Sequence, residues 1–140
     1  MSQTLQFIVL TPDRKVLDTD ARSLRVLLPD GWWGILPGHA PMISYIESGT
    51  VFYEINGVTR YVSIYQGTIE VQKEAHVPTR VRILTAAAEE GDNLEEVEAA
   101  LKAQAEKLEI QAKEAEIEFQ QLRLSLERAL QNSDITDMGS

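Results

Sequence analysis

Thr50-Val51-Phe52-Tyr53-Glu54-Ile55-Asn56-Gly57-Val58-Thr59-Arg60-Tyr61-Val62-Ser63-Ile64-Tyr65 sets two runs of β-branched and aromatic residues on either side of Asn-Gly. Both central residues of a type I′ turn need a positive φ, and Asn and Gly tolerate it best. The stretch therefore reads as a β-hairpin. Strand-like segments continue outward in both directions. Downstream, Gln66-Gly67 precedes TIEVQ, and TRVRILT (79–85) puts Val81, Ile83 and Thr85 on one side and Arg80, Arg82 and Leu84 on the other. Upstream, MISYIES (42–48) leads to Gly49, and SLRVLLP (23–29) alternates Leu24, Val26 and Leu28 against Arg25 and Leu27. LQFIVLT (5–11) ends at Pro12-Asp13. About eight to ten short strands at this spacing predict an antiparallel β-sandwich or flattened barrel.

From Asp92 the period changes. Leu94, Val97, Leu101, Ala105, Leu108, Ala112, Ala115, Phe119, Leu122, Leu126 and Ala129 recur at steps of three and four, apart from the step from Leu101 to Ala105, which repeats four, and so mark one helix face. Asp92 or Asn93 is suited to cap the first free N–H groups, and Glu95, Glu96 and Glu98 suit the positive end of the helix dipole. No Gly or Pro falls between Asp92 and Asp137. A second row, Ile110, Ile117 and Leu124, lies on another face, so the later part of the helix is expected to meet more than one partner. The expected domains are 1–88, a β-sandwich, and 89–140, a helical tail.

Charge follows the same division. Residues 1–88 hold 8 acidic and 8 basic side chains, and residues 89–140 hold 14 acidic and 5 basic, which accounts for the net charge of −9. Nucleic acid is not an expected partner, because phosphates call for a basic patch. There are no cysteines, hence no disulfide or thiolate metal site. Residues 1–15 lack a basic region followed by an apolar run, and no segment approaches the roughly 18 apolar residues of a membrane span. Any membrane association is expected to come through another chain.

The chemically suggestive stretch is Pro29–Pro41, PDGWWGILPGHAP, with both tryptophans and one of the two histidines. A catalytic histidine needs an orienting carboxylate and a nucleophile or water, and neither Asp30 nor Glu47 stands at a telling spacing from His39. His39 reads instead as a loop histidine that hydrogen-bonds backbone or meets a partner, and His76 as surface loop. Two histidines make no metal cluster, and the glycines make no phosphate-binding pattern. No catalytic, cofactor or metal residue is assigned. Trp32 and Trp33 are adjacent and so face opposite ways on an extended segment. Trp33 is expected in the core and Trp32 exposed, as an interface anchor.

Gly34-Ile35-Leu36-Pro37-Gly38-His39-Ala40-Pro41 resembles the signature of the epsilon subunit of F-type ATP synthases. SIYQGTIEV (63–71), RVRILT and the helical start at Asp92-Asn93-Leu94 agree with it. The likeness covers nearly the whole chain. It implies a ten-stranded β-sandwich followed by two helices, in a non-catalytic subunit of the central rotor stalk. The implied partners are the gamma subunit and the membrane c-ring, with the tail reaching the alpha and beta subunits to restrain ATP hydrolysis. The implied location is peripheral, at the cytoplasmic face of the membrane. By position, Asp30, Gly31 and Trp32 match the loop that touches the c-ring, and Gly34, Pro37, Gly38, His39 and Pro41 form the signature turn.

Three departures qualify the likeness. The family often carries two glycines where this chain has Gln66-Gly67. Some members bind ATP through Ile/Leu-Asp-x-x-Arg-Ala at the start of the tail, where Leu94-Glu95-Glu96-Val97-Glu98-Ala99 stands here. Glu98 in place of arginine would repel a phosphate, so no ATP cofactor is expected. The turn between the two tail helices is absent from EKLEIQAKEAEIEF (106–119), which leaves a tight turn near 109–115 or one continuous helix. After Lys113 the tail offers only Arg123 and Arg128 as cations, so regulatory contact is expected through Phe119, Leu122 and Leu126. The competing reading is a β-sandwich adaptor that self-associates through a coiled-coil tail.

Overall fold

In the computed structural model, Asn56 and Gly57 have φ angles of 50° and 79°, the left-handed pair that a two-residue hairpin turn demands. The strands they join are two of seven: β1 (Leu5–Leu10), β2 (Lys15–Ala21), β3 (Ser23–Leu28), β4 (Gly31–Ile35), β5 (Met42–Ile55), β6 (Val58–Gln72) and β7 (Arg80–Gly91). One helix follows, α1 (Leu94–Met138). The structure describes residues 4–138, and the backbone alone for 133–138. Residues 1–3 of the stretch read for a leader, and the last two of the tail, lie outside the described residues. The chain forms two compact units, Met1–Ala105 and Glu106–Ser140.

The strands lie in the order β2-β1-β7-β6-β5-β3-β4, all neighbours antiparallel except β1 and β7. β2 approaches β5, four places away in the sheet, so the sheet curls over itself to enclose one core. Phe7 and Tyr53 sit at its centre, ring centroids 5.3 Å apart and edge to face. Leu24, Ile46, Ile64, Ile69 and Ile83 surround them, each fully buried.

Seven strands replace the expected eight to ten, and one backbone feature explains the difference. Gln66 takes a φ of 51° in the middle of β6. Before it the inward residues are Val62 and Ile64, and after it Gly67, Ile69 and Val71, so the inward parity flips. β5 flips between Ile46 and Val51, and β7 between Ala87 and Ala88. Pairing of β6 with both neighbours keeps its register through this level. Three strands therefore turn a corner together and serve both layers, with no residue inserted in one strand relative to its neighbour. The sequence signals at Gly49 and Gln66-Gly67 mark that corner, not strand ends. Two strands lie outside the segments named from sequence. β2 carries Asp18 and Asp20, poor strand formers, and pairs with β1. β4 holds the two tryptophans of the Pro29–Pro41 stretch and pairs with β3, Leu27 opposite Trp32 and Val26 opposite Trp33.

α1 runs through residues 109–115 without a turn, which decides between the two expectations for the tail. Asn93 caps it, its Oδ1 accepting the Glu96 N–H at 3.0 Å. The first turns pack on the sandwich within the first unit. Val97 is buried against Gly91, and Ser63, on the outer side of β6, is buried as well.

Candidate functional site

The β3–β4 hairpin closes in two residues, Pro29 and Asp30, with Leu28 opposite Gly31. Gly31 takes a φ of 125°, where a side chain would be strained. Asp30 is exposed, and its Oδ1 accepts the Trp33 indole N–H at 2.7 Å. Alternation on β4 then separates the tryptophans as expected. Trp33 packs against the core, while Trp32 is 61% exposed.

Trp32 is the end of an aromatic row across the outer face. Its ring lies 5.9 Å from Phe52, which lies 5.6 Å from Tyr61, and the Arg25 guanidinium covers Phe52 at 5.1 Å. Leu27, Trp32, Phe52 and Leu101 wall a cleft of about 440 Å³. Glu98 borders it, accepting a hydrogen bond from the Thr50 hydroxyl at 3.3 Å. A large exposed aromatic in such a setting suits protein contact.

Past β4 the chain turns at Leu36–His39. The His39 N–H reaches the Leu36 carbonyl at 3.0 Å, with Pro37 and Gly38 between them and Gly38 at a φ of 90°. That is a type II turn, whose second central position favours glycine. The His39 Nδ1–H donates to the Ala40 carbonyl at 2.8 Å, since a carbonyl only accepts. No nucleophile or carboxylate is bonded to this ring among the described contacts. Gly34 lies within β4, and Pro41 is exposed just before β5.

The tail residues are placed differently. Phe119, Leu122 and Leu126 are exposed, as are Ile110, Ile117 and Leu124. Arg123 pairs with Glu127 at 3.8 Å along the helix, and Arg128 is exposed. No helix among the described residues is long and apolar enough to cross a membrane, and no group of three metal-ligating side chains converges among them.

Two features escaped the sequence reading. Thr79, 3% exposed, accepts the Gly38 N–H on its hydroxyl at 2.7 Å from 41 residues away. Tyr53 donates its hydroxyl to Glu90 at 2.9 Å, and Arg60 meets the same carboxylate at 2.6 Å. Burial pushes the Tyr53 phenol up to about 12, with the Glu90 carboxylate adding to the shift and Arg60 opposing it. Neither partnership leaves a local signal, because the residues involved are far apart in sequence.

Comparison with known proteins follows the same boundaries. A family model described as the ATP synthase delta/epsilon chain β-sandwich domain matches residues 4–91. The ATP synthase epsilon chain of Halalkalibacterium halodurans is 35% identical over 133 residues, covering 94% of this chain and 96% of its own. That of Bacillus cytotoxicus is 29% identical over 136 residues, 97% of this chain and 98% of its own. That of Koribacter versatilis is 35% identical over 95 residues, a stretch spanning 63% of that relative's length. Among solved structures, a chain of the Euglena gracilis mitochondrial ATP synthase (OSCP/F1/c-ring) superposes with a TM-score of 0.57. It shares 19% identity, over 74% of this chain and 64% of its own.

Proposed function

This chain belongs to the ATP synthase delta/epsilon family, and from that membership we propose that it is a non-catalytic epsilon-type subunit of a rotary ATP synthase. It sits on the central stalk, bound to the gamma subunit, and couples the catalytic head to ion movement through the c-ring. The observation that carries this reading is the family match over residues 4–91, which takes in the whole seven-stranded sheet. Asp30, Gly31 and Trp32 form the c-ring contact, with Trp32 as the apolar anchor. The complex holds the subunit at the cytoplasmic face of the membrane as a peripheral component. Co-expression with the gamma subunit tests it: the two co-purify, and failure to associate would remove the reading.

The tail restrains ATP hydrolysis through apolar docking of Phe119, Leu122 and Leu126 on the alpha and beta subunits. After Lys113 the tail carries only two cations, Arg123 and Arg128, so charge pairing with an acidic partner contributes little. ATP is not a ligand. The Glu98 carboxylate, where some relatives have arginine, repels a phosphate. A calorimetric titration with ATP should stay flat up to millimolar concentration, and saturable sub-millimolar binding would overturn this point.

The exposed row Ile110, Ile117 and Leu124 favours a second reading, self-association through the tail. Its charge opposes that: residues 89–140 carry 14 acidic and 5 basic side chains, which repel in a pair of copies. Sedimentation of the isolated protein separates the two, a monomer for the stalk subunit and a dimer for the adaptor.

A further inference from the structure

A continuous set of contacts links the signature turn to the tip of the β3–β4 hairpin. It begins at Thr79, buried just before β7, whose carbonyl accepts the Gln6 N–H at 2.9 Å. The Thr79 hydroxyl accepts the Gly38 N–H at 2.7 Å and so ties the type II turn to the β1–β7 pair. The next residue, His39, is fixed by its own N–H to Leu36 and by its ring N–H to Ala40. Its ring meets the Trp33 ring at 6.2 Å between centroids and 61° between planes, the edge-on geometry aromatic rings prefer. Trp33 in turn holds Asp30 through its indole N–H. Asp30 is one of the two residues that close the hairpin, and Trp32 is two residues on.

We infer that the signature turn is a brace: Thr79, Gly38 and His39 act through Trp33 to hold Asp30 and fix the hairpin tip that presents Trp32 to a partner. His39 is then a positioning residue. This accounts for a histidine whose ring meets backbone and an aromatic neighbour, and for a proline-glycine turn set beside a strand end. It also explains why Trp33 is tethered at both ends, by its ring to His39 and by its N–H to Asp30. A hairpin of two short strands at the sheet edge is marginal alone. β4 is such an edge strand, paired only with β3 among the described residues, so a tether at its end has a large effect on its order. That the presented surface meets the c-ring rests on the function proposed above; the brace itself does not.

Amide hydrogen exchange of the full chain tests the brace, read at Gly31–Trp33 and at the core residue Ile69. His39→Ala removes the ring contact, and Thr79→Val removes the hydroxyl while keeping its shape. Each should speed exchange at Gly31–Trp33 by about tenfold, the scale of one lost contact of this kind, and leave Ile69 unchanged. Thr79→Ser, which keeps the acceptor, should restore slow exchange. Unchanged exchange at the tip in both variants overturns the inference, as does equal acceleration at Ile69, which would mean general loss of stability. A second readout is cross-linking of a Trp32→Cys chain to c-ring subunits in the assembled motor, with and without His39→Ala. A lower yield alongside a looser tip supports both brace and partner. A looser tip with no c-ring product from either chain keeps the brace and removes the c-ring contact.

Discussion

A β-carbon on Gly67 would stand 2.9 Å from the backbone carbonyl oxygen of Leu84 on the neighbouring strand. The atom in the way is main chain and cannot rotate aside. Gly67→Ala should therefore destabilise the protein by about 1–3 kcal/mol, read by urea or thermal unfolding. Gln66, one residue earlier, has the opposite relation to glycine. Its φ of 51° is strained for a side chain, so Gln66→Gly should be neutral or stabilising by up to ~1 kcal/mol. Loss of stability in Gln66→Gly would mean that its side chain outweighs the backbone strain.

Tyr53 gives a pH signature. Its phenol ionises near 10 when unfolded and is held up to about 12 in the folded protein, chiefly by burial. The raised value favours the neutral form, so this contribution is whole below pH 10 and is lost as the pH rises through 12. Stability measured by urea unfolding should fall between pH 10 and pH 12. Tyr53→Phe should lack that part of the fall. Identical alkaline profiles for the two proteins would contradict the burial of an unionised hydroxyl beside Glu90.

The base of the helix rests on a cap and a close approach. Asn93→Ala removes the acceptor of the Glu96 N–H and should cost about 1 kcal/mol. Gly91→Ala would bring a β-carbon within 2.9 Å of the Val97 side chain. It should loosen the first helical turns from the sandwich, seen as faster exchange at Val97 and its neighbours, while the β-sheet midpoint moves little.

The tail should behave as a contact surface and not as core. Replacing Phe119, Leu122 and Leu126 together by Ser removes exposed apolar side chains. The unfolding midpoint of the isolated protein should change by no more than ~0.5 kcal/mol. In the assembled motor the same change should raise ATP hydrolysis. Unaltered hydrolysis would remove these residues from the restraint.

What was legible in the sequence was what local chemistry decides. Asn56-Gly57 gave its hairpin because the turn type is set by those two residues. The parity of Val81, Ile83 and Thr85, and of Leu24, Val26 and Leu28, carried over to the folded sheet. The opposite fates of Trp32 and Trp33 followed from adjacency alone. What was not legible depends on distant partners. β2 is a strand because β1 lies beside it, against the preference of Asp18 and Asp20. The corner at Gln66 mimics a strand end, since a residue with positive φ announces a turn whether or not the strand continues. Thr79, Tyr53 and Glu90 act across 30 to 41 residues of chain, so no local pattern marks them. At the candidate site, sequence placed His39 in a turn but gave no reason for its place beside Trp33.

The most direct test of the central claim is cross-linking within the assembled synthase. A Trp32→Cys chain, carrying the only cysteine of the subunit, is joined by a short thiol-reactive linker. The c-ring should be the partner of Cys at this position, with the subunit retained alongside gamma. A Cys at the exposed residue Val58, which opens β6 after the Asn56-Gly57 turn, serves as the comparison and should give far less c-ring product. Equal yields from the two positions, or a subunit that does not remain with gamma, would contradict a stalk subunit that rests on the ring through Trp32.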